Sequence, residues 1–289
     1  MDKLASLSRR INTAYPELAI EAARLHNTQG QFSDVLIVNK TLIFRFPRSL
    51  HLVRDMQAEL DVLDRLKGRL PLSIPEPVYR SPIDWPPEHF FMGYRLIPGE
   101  SLRRDTIATM TDADTLDRLA QQLAEFMIAL HQLPVPDLGT SINDTRADWA
   151  KLYDGFRSEL FPLMRPAACE QVTQEFEFFL REPENFNWTP AFRHGDFGPD
   201  NIIWDPQARA ITGVIDFTFA GPGDPAADVA GIATAGDDFL RRLIPHYPAM
   251  ADLLPRARFY QSTFALQQAF YALRDGDRDE FEDGIANYR

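Results

Sequence analysis

The sequence predicts an α+β chain of two lobes, a bilobal architecture in which a small antiparallel sheet with one helix precedes a larger, mostly helical part. Three observations carry this. A β-hairpin pattern lies within the first fifty residues, amphipathic helical stripes dominate after Gly99, and a single β island near residues 191–217 interrupts them.

The hairpin is Asp34-Val35-Leu36-Ile37-Val38, then Asn39-Lys40, then Thr41-Leu42-Ile43-Phe44-Arg45-Phe46, two apolar runs joined by two polar residues and closed by Pro47. Val53, Met56, Leu60, Leu63 and Leu66 recur at intervals of three and four, which predicts a helix ending near Gly68. Residues 70–77 contain Pro71, Pro75 and Pro77 and cannot be helical. Short strands follow at Val78-Tyr79 and over 90–97. Pro98-Gly99 breaks the last of them and sets the expected boundary between lobes 1–98 and 99–289. Beyond it, Leu116, Leu119, Leu123, Phe126, Met127 and Leu130 stripe a helix that runs to His131, a histidine read as structural, and stops before Pro134. Further helices are expected near 144–162, 166–181, 225–244 and 255–273. The four tryptophans, Trp85, Trp149, Trp188 and Trp204, are scattered and read as packing residues.

With 289 residues, 45% hydrophobic and 25% charged, the chain has the composition of a globular protein. Its net charge of −12 argues against nucleic-acid and anionic-membrane partners. Cys169 is the single cysteine, which excludes an internal disulfide and a cysteine zinc site. No apolar run is long enough for a membrane span and the N-terminus lacks a signal-peptide core, so the expected location is the cytoplasm. The charge is uneven. Residues 1–98 hold 13 basic and 11 acidic side chains, and residues 99–289 hold 17 and 31. Acidic surface favours solubility in general, and here it also suits a cationic ligand for the second lobe.

The island Phe192-Arg193-His194-Gly195-Asp196-Phe197-Gly198-Pro199-Asp200-Asn201, followed by Val214-Ile215-Asp216-Phe217, carries the chemistry. Phosphoryl transfer needs a carboxylate to orient and deprotonate a hydroxyl, and oxygen ligands to hold Mg²⁺ against the phosphates. Asp196 and Asn201 bound one loop, and Asp216 ends an apolar strand. Asn and Asp are hard oxygen donors suited to Mg²⁺.

This pattern resembles the catalytic loop and metal-binding Asp of the protein-kinase-like superfamily, and in its His-Gly-Asp-x-x-x-x-Asn plus Ile-Asp-Phe form it is similar to the aminoglycoside phosphotransferase family. The resemblance extends along the chain. Residues 70–77, Gly93-Tyr94-Arg95-Leu96-Ile97-Pro98-Gly99 and the ending Gly284-Ile285-Ala286-Asn287-Tyr288-Arg289 look most like the 2''-O-phosphotransferase subgroup. It implies a kinase-like fold, Asp196 as catalytic base, Asn201 and Asp216 as Mg²⁺ ligands, and His194 and Asp224 as structural support for the loop. Asp224-Pro225 reads on its own as a helix start, with Asp228 in the first turn. Arg45 takes the strand position of the phosphate-binding Lys and Glu59 that of its helix partner. Gln29-Gly30-Gln31-Phe32-Ser33 replaces the glycine-rich loop and puts Ser33 near the nucleotide. Three departures stand out: Arg45 where relatives usually have Lys, and, against the protein-kinase pattern, Gly195 in place of Arg and Thr218 in place of Gly.

By the same resemblance a purine bonds the carbonyl of Arg95 and the amide of Ile97. A bulky Tyr94 just before them implies GTP rather than ATP. Asp237 and Asp238 align with a paired acidic position of the acceptor site. Gln267 stands where the subgroup has an acidic residue, and Phe264 where it has Trp. The acidic stretch Asp275, Asp277, Asp279, Glu280, Glu282 and Asp283 is a second candidate for contact with a cation. The expected function is transfer of a γ-phosphoryl group to a hydroxyl of a small cationic acceptor, an aminoglycoside. The alternatives are a macrolide or another hydroxyl metabolite as acceptor, a nucleotide-binding pseudoenzyme and a metal-dependent hydrolase. Nothing after Asp216 resembles the Ala-Pro-Glu segment of a protein kinase.

Overall fold

A computed structural model describes residues 2–26, 33–135 and 142–289. In chain order it contains α1 (Lys3–Ala14), β1 (Ala23–Leu25), β2 (Ser33–Val38), β3 (Leu42–Pro47), α2 (Leu50–Leu66), β4 (Tyr79–Arg80), β5 (Met92–Arg95) and β6 (Glu100–Ser101). There follow α3 (Arg104–Thr109), α4 (Ala113–His131), α5 (Arg146–Gly155), α6 (Pro166–Arg181), β7 (Ala191–Arg193), β8 (Ile202–Asp205), β9 (Ala210–Val214) and β10 (Gly221–Gly223). The chain ends with α7 (Ala226–Ala233), α8 (Asp237–Leu243), α9 (Met250–Ser262), α10 (Phe264–Asp275) and α11 (Arg278–Ile285). The α+β class is the expected one. Among the described residues no helix is long and apolar enough to cross a membrane.

Two compact units form: Met1–Leu102 with Asn201–Ala220, and Arg103–Asp200 with Gly221–Arg289. The first is built on an antiparallel sheet of order β1-β2-β3-β5-β4. Asn39 and Lys40 form its tightest turn with φ of 50° and 59°, the left-handed pair that lets a two-residue loop follow the strand twist. Alternation along β3 then decides what each face carries. Phe44 and Phe46 join Leu7 and Ile11 of α1 in one apolar cluster. Ile43 turns the other way, to Ile37 and Tyr94, and Met92 of β5 packs on Met56 and Leu60 of α2. Arg45 lies on that second face, reaching Glu59 of α2. A smaller sheet, β6-β8-β9, completes the unit, with the proline-rich segment bonded to it through Val214 N–H and the Ser73 carbonyl.

The second unit is helical, and among its described residues only the β7–β10 pair is sheet. The stripe of α4 is buried as expected, and Phe126 stacks on Phe197 at 5.6 Å. A second core is aromatic. Phe176 stacks on Tyr153 and meets Phe156 and Phe259 edge-on, while Trp149 stacks on Tyr260 at 4.5 Å.

Several elements differ from expectation. Helix α1 and strand β1 add to a region read as strands around one helix. The helix expected over 225–244 is two, α7 and α8, because Gly236 adopts φ 110° between them. That over 255–273 divides at Thr263, whose hydroxyl donates to the Tyr260 carbonyl and accepts from the Gln267 side chain. The β island is also not one sheet, since β7 pairs with β10 and β8 with β6 and β9.

Phe176 is 1% exposed, and truncation there leaves a cavity ringed by rigid rings. Phe176→Ala should lower unfolding free energy by about 3–5 kcal/mol. Urea unfolding followed by Trp149 fluorescence measures it, because that indole is 6.4 Å from the Phe176 ring.

Candidate active site

In the first unit the guanidinium of Arg45 is the hub. Its Nη1 donates to Glu59 Oε1 at 2.6 Å and its Nε to Ser33 Oγ at 3.4 Å. Its Nη2 approaches Thr218 Oγ1 at 3.5 Å and Asp216 Oδ1 at 3.7 Å. Arg45 and Glu59 are both buried, so this is a desolvated pair held by several donors. Burial opposes the charge on Arg45, yet Glu59 and Asp216 push its pKa further up. Burial drives the Glu59 carboxyl upward while Arg45 pulls it down. Tyr94 shares this face, and burial pushes its phenol up to about 12, so it stays neutral.

Asp216 follows β9 with φ 64°, a left-handed conformation that costs a non-glycine residue energy and marks an imposed position. Its side chain is 38% exposed. Asn201 stands beside it in the ladder, its carbonyl accepting from Ile215 N–H at 2.9 Å. The backbones of Asn201 and Asp216 are therefore neighbours. Ser33 lies against Arg45, and residues 29–32 of the expected phosphate loop lie outside the described residues.

The strand edge next to Tyr94 also follows from the ladder. Leu96 N–H bonds the Thr41 carbonyl on the β3 side, and the Gly93 carbonyl accepts from Val78 on the β4 side. By alternation the Arg95 carbonyl and the Ile97 amide point to the β4 side, where Pro77, which has no N–H, stands beyond the end of that strand.

In the second unit β7 delivers His194-Gly195-Asp196 into a loop braced by one carboxylate. Asp228 of α7 is fully buried. It accepts from His194 N–H at 2.9 Å, Gly195 N–H at 2.8 Å and His131 Nε2 at 2.9 Å. A carboxylate only accepts, so Nε2 of His131 carries a proton, and in the neutral ring Nδ1 accepts from the Tyr247 hydroxyl at 3.0 Å. Burial would raise the Asp228 pKa, but the His131 hydrogen bond and the His131 and His194 rings outweigh it and hold the carboxyl low. His194 is buried and its Nδ1 accepts from Asp196 N–H at 3.3 Å, leaving the Asp196 side chain exposed at the loop's head.

Asp224 caps α7 through Ala226 N–H and binds Arg256 and the Tyr260 hydroxyl, so its support reaches the helix more directly than the loop. Sequence reasoning missed three further supports. Asp144 pairs with Arg193 of β7 at 2.6 Å and accepts from Asp224 N–H. A Cβ at Gly231 would stand 2.8–3.0 Å from the backbone of Phe197, so only glycine lets α7 pack this closely on the loop. Thr218, seen only as a departure, bonds both Asp216 and Glu59. The sequence sign of the first was Arg193 beside the apolar Ala191-Phe192, and of the second a glycine inside an apolar helical run.

The expected acceptor residues are not gathered by any bond. Asp237 and Asp238 are exposed on the first turn of α8, Asp238 beside Arg241. Phe264 and Gln267 are half-buried on α10, where Gln267 bonds Thr263. The acidic stretch near the C-terminus is largely structural. Asp277 caps α11, Glu280 and Asp283 accept from Gln268, and Glu282 pairs with Arg289.

A model of the phosphotransferase enzyme family (APH) matches residues 25–260. Viomycin phosphotransferase of Streptomyces vinaceus is 31% identical over 269 residues, which is 90% of this chain and 91% of that protein. The structure of a GDP and kanamycin complex of an APH(2'')-type phosphotransferase superposes with TM-score 0.89 at 27% identity, covering 98% of this chain and 96% of the other. A GDP complex of aminoglycoside 2'-phosphotransferase-IIIa gives 0.90 at 26%, covering 99% and 97%. The chain belongs to the phosphotransferase enzyme family and has its protein-kinase-like fold. Its activity is that of a small-molecule O-phosphotransferase.

Asp228→Asn offers an amide N–H₂ to donors that need an acceptor. The variant should lose about 3–5 kcal/mol of stability and at least about tenfold in kcat. A depressed folded pKa gives stability that is full above the ordinary aspartate value of about 3.9 and is lost as pH falls through the lower folded value. Acid unfolding below about pH 4 should therefore be shallower in the variant, as circular dichroism against pH will measure.

Proposed function

We propose that the chain transfers the γ-phosphoryl group of a nucleoside triphosphate to a hydroxyl of a small cationic acceptor, an aminoglycoside or viomycin. The observation that carries this reading is the buried Arg45–Glu59 pair at 2.6 Å, with the Asp216 carboxylate 3.7 Å from the same guanidinium. A positive group fixed by a buried carboxylate beside an exposed second carboxylate suits a triphosphate and its metal.

In this reading residues 1–98 bind nucleotide and residues 99–289 supply catalysis and the acceptor site. Asp196 accepts the proton of the acceptor hydroxyl while that oxygen forms a bond to phosphorus and the bond to the bridging β–γ oxygen breaks. The donor set fits Mg²⁺. Asn201 and Asp216 are hard oxygen donors, and the Asn201 carbonyl accepts from the amide of Ile215, the residue before Asp216. Two protein donors suit an ion that keeps waters and takes phosphate oxygens. Bound there, Mg²⁺ would supply positive charge against the β- and γ-phosphate oxygens. Ser33 and Arg45 face the phosphates. The Arg95 carbonyl and Ile97 amide offer the purine an acceptor and a donor. Asp237 and Asp238, with Phe264 and Gln267 on the other helix, are the acceptor-binding candidates, and the acidic balance of residues 99–289 favours a cation there.

Kanamycin, viomycin and a macrolide, each with GTP and ATP, form the deciding panel, read by a mass shift of one phosphate. Phosphorylation of kanamycin or viomycin supports the cationic acceptor. Phosphorylation of the macrolide alone replaces it, and phosphate release without acceptor favours hydrolysis. In the same assay Asp196→Asn should lose about 10²–10⁴-fold in kcat with nucleotide affinity retained, and wild-type turnover would remove Asp196 from its role. The depth available to a purine is limited by Tyr94, so kcat/KM should favour GTP over ATP, and Tyr94→Ala should improve use of ATP. A GTP/ATP ratio at or below one overturns that preference.

A further inference from the structure

Two of the positions that depart from the kinase-like pattern touch each other. Where that pattern has Lys on the strand and Gly after the Asp-Phe pair, this chain has Arg45 and Thr218, with Arg45 Nη2 3.5 Å from Thr218 Oγ1. The hydroxyl lies 2.7 Å from Asp216 Oδ1 and 3.1 Å from Glu59 Oε2. Glu59 also accepts from Phe217 N–H at 3.3 Å. Arg45, Glu59, Thr218 and Asp216 thus close a ring of polar contacts in which the arginine fork and the threonine hydroxyl each meet the three other members.

We propose that Thr218 is a positioning residue that aims the Asp216 carboxylate, and that it does so as a pair with the arginine fork at position 45. A hydroxyl has a single proton to donate and lone pairs to accept. The shorter contact assigns that proton to Asp216 Oδ1, a charge-assisted bond, while Arg45 Nη2 donates to the hydroxyl. Asp216 needs such a tie. At 38% exposure burial alone does not set the direction of its side chain, and its backbone is held at φ 64°. Glycine at 218 would offer no hydroxyl. Lysine at 45 would bring one nitrogen, able to meet Glu59 or to approach Thr218 but without the fork that here spans Ser33, Glu59 and Thr218. The two departures are therefore one feature. What the aim serves rests on Asp216 as metal ligand; the tie itself does not.

Two measurements separate these. Isothermal titration of GTP and ATP, with and without Mg²⁺, compares wild type with Thr218→Val and Thr218→Ser. Thr218→Val should weaken the Mg²⁺-dependent affinity about tenfold and leave metal-free affinity within about twofold. Thr218→Ser should restore it. Urea unfolding of the protein free of metal and nucleotide then compares Arg45→Lys, Thr218→Val and the double variant. In the Arg45→Lys background the valine should cost almost nothing further, a non-additivity of about tenfold in the unfolding constant. Wild-type Mg²⁺ dependence in Thr218→Val, a serine no better than valine, or additive unfolding effects would overturn the proposal. Should Arg45→Lys not fold, the valine–serine comparison decides alone. Asp216→Ala is the control for the underlying reading. If it keeps Mg²⁺-dependent affinity, the metal assignment falls, while the unfolding cycle still judges the tie.

Discussion

A carboxylate taken out of water has to be answered by donors, and both units of this chain are organised around meeting that demand. Glu59 is 1% exposed and Asp228 is fully buried. An unpaired charge at either site would cost several kcal/mol, comparable to the whole stability of a domain. Glu59 collects the Arg45 guanidinium and the Phe217 amide. Asp228 collects two successive loop amides and His131. In each case at least one donor comes from an element distant in sequence, so satisfying the charge fixes where that element goes. The residues proposed for the chemistry sit one step away: Asp216 precedes Phe217, and Asp196 follows Gly195.

That arrangement explains why the acidic groups divide by role. Asp228 and Glu59 are buried and spend their oxygens on the protein. Asp196 is exposed, and Asp216 is partly so. A base must meet an incoming hydroxyl, and a metal ligand must meet an ion, so neither can be sealed among donors. Support is therefore delegated to a second carboxylate that can be. Asp144 and Asp224 extend the same logic, clamping Arg193 of β7 and Arg256 of α9, respectively.

How much of this the sequence disclosed depends on the range of the interaction. The hairpin around Asn39-Lys40, the α2 stripe and the α4 stripe are local patterns, and each was legible. The Arg45–Glu59 pair could be placed because strand and helix are adjacent in the chain, 14 residues apart. Helix α1 was missed because its buried face is only Leu7 and Ile11, too short a stripe to read. The breaks at Gly236 and Thr263 were missed because apolar periodicity continues across them. The Asp144–Arg193 pair spans 49 residues and the Arg256–Asp224 pair 32, and an arginine in sequence gives no sign of which carboxylate it will meet. The pairing of β7 with β10 rests on Gly221-Pro222-Gly223, a segment with no strand propensity of its own.

The acceptor side was the least legible, for a physical reason. Catalytic and nucleotide-binding groups are held by specific buried partners, and such partners leave paired motifs in the sequence. Carboxylates that attract a cation act through a field, which depends on their sum more than on their neighbours. Exposed acids such as Asp237 and Asp238 need no partner to be stable, so nothing local distinguishes them from solvated surface. The C-terminal acidic stretch shows the converse. Its density looked like a binding face, yet Asp277, Glu280, Glu282 and Asp283 are occupied in capping and pinning α11. Charge density alone therefore ranks acceptor candidates poorly. A better criterion is which acids the fold leaves without a structural task, and by it Asp237 stands ahead of Asp277, Glu280, Glu282 and Asp283.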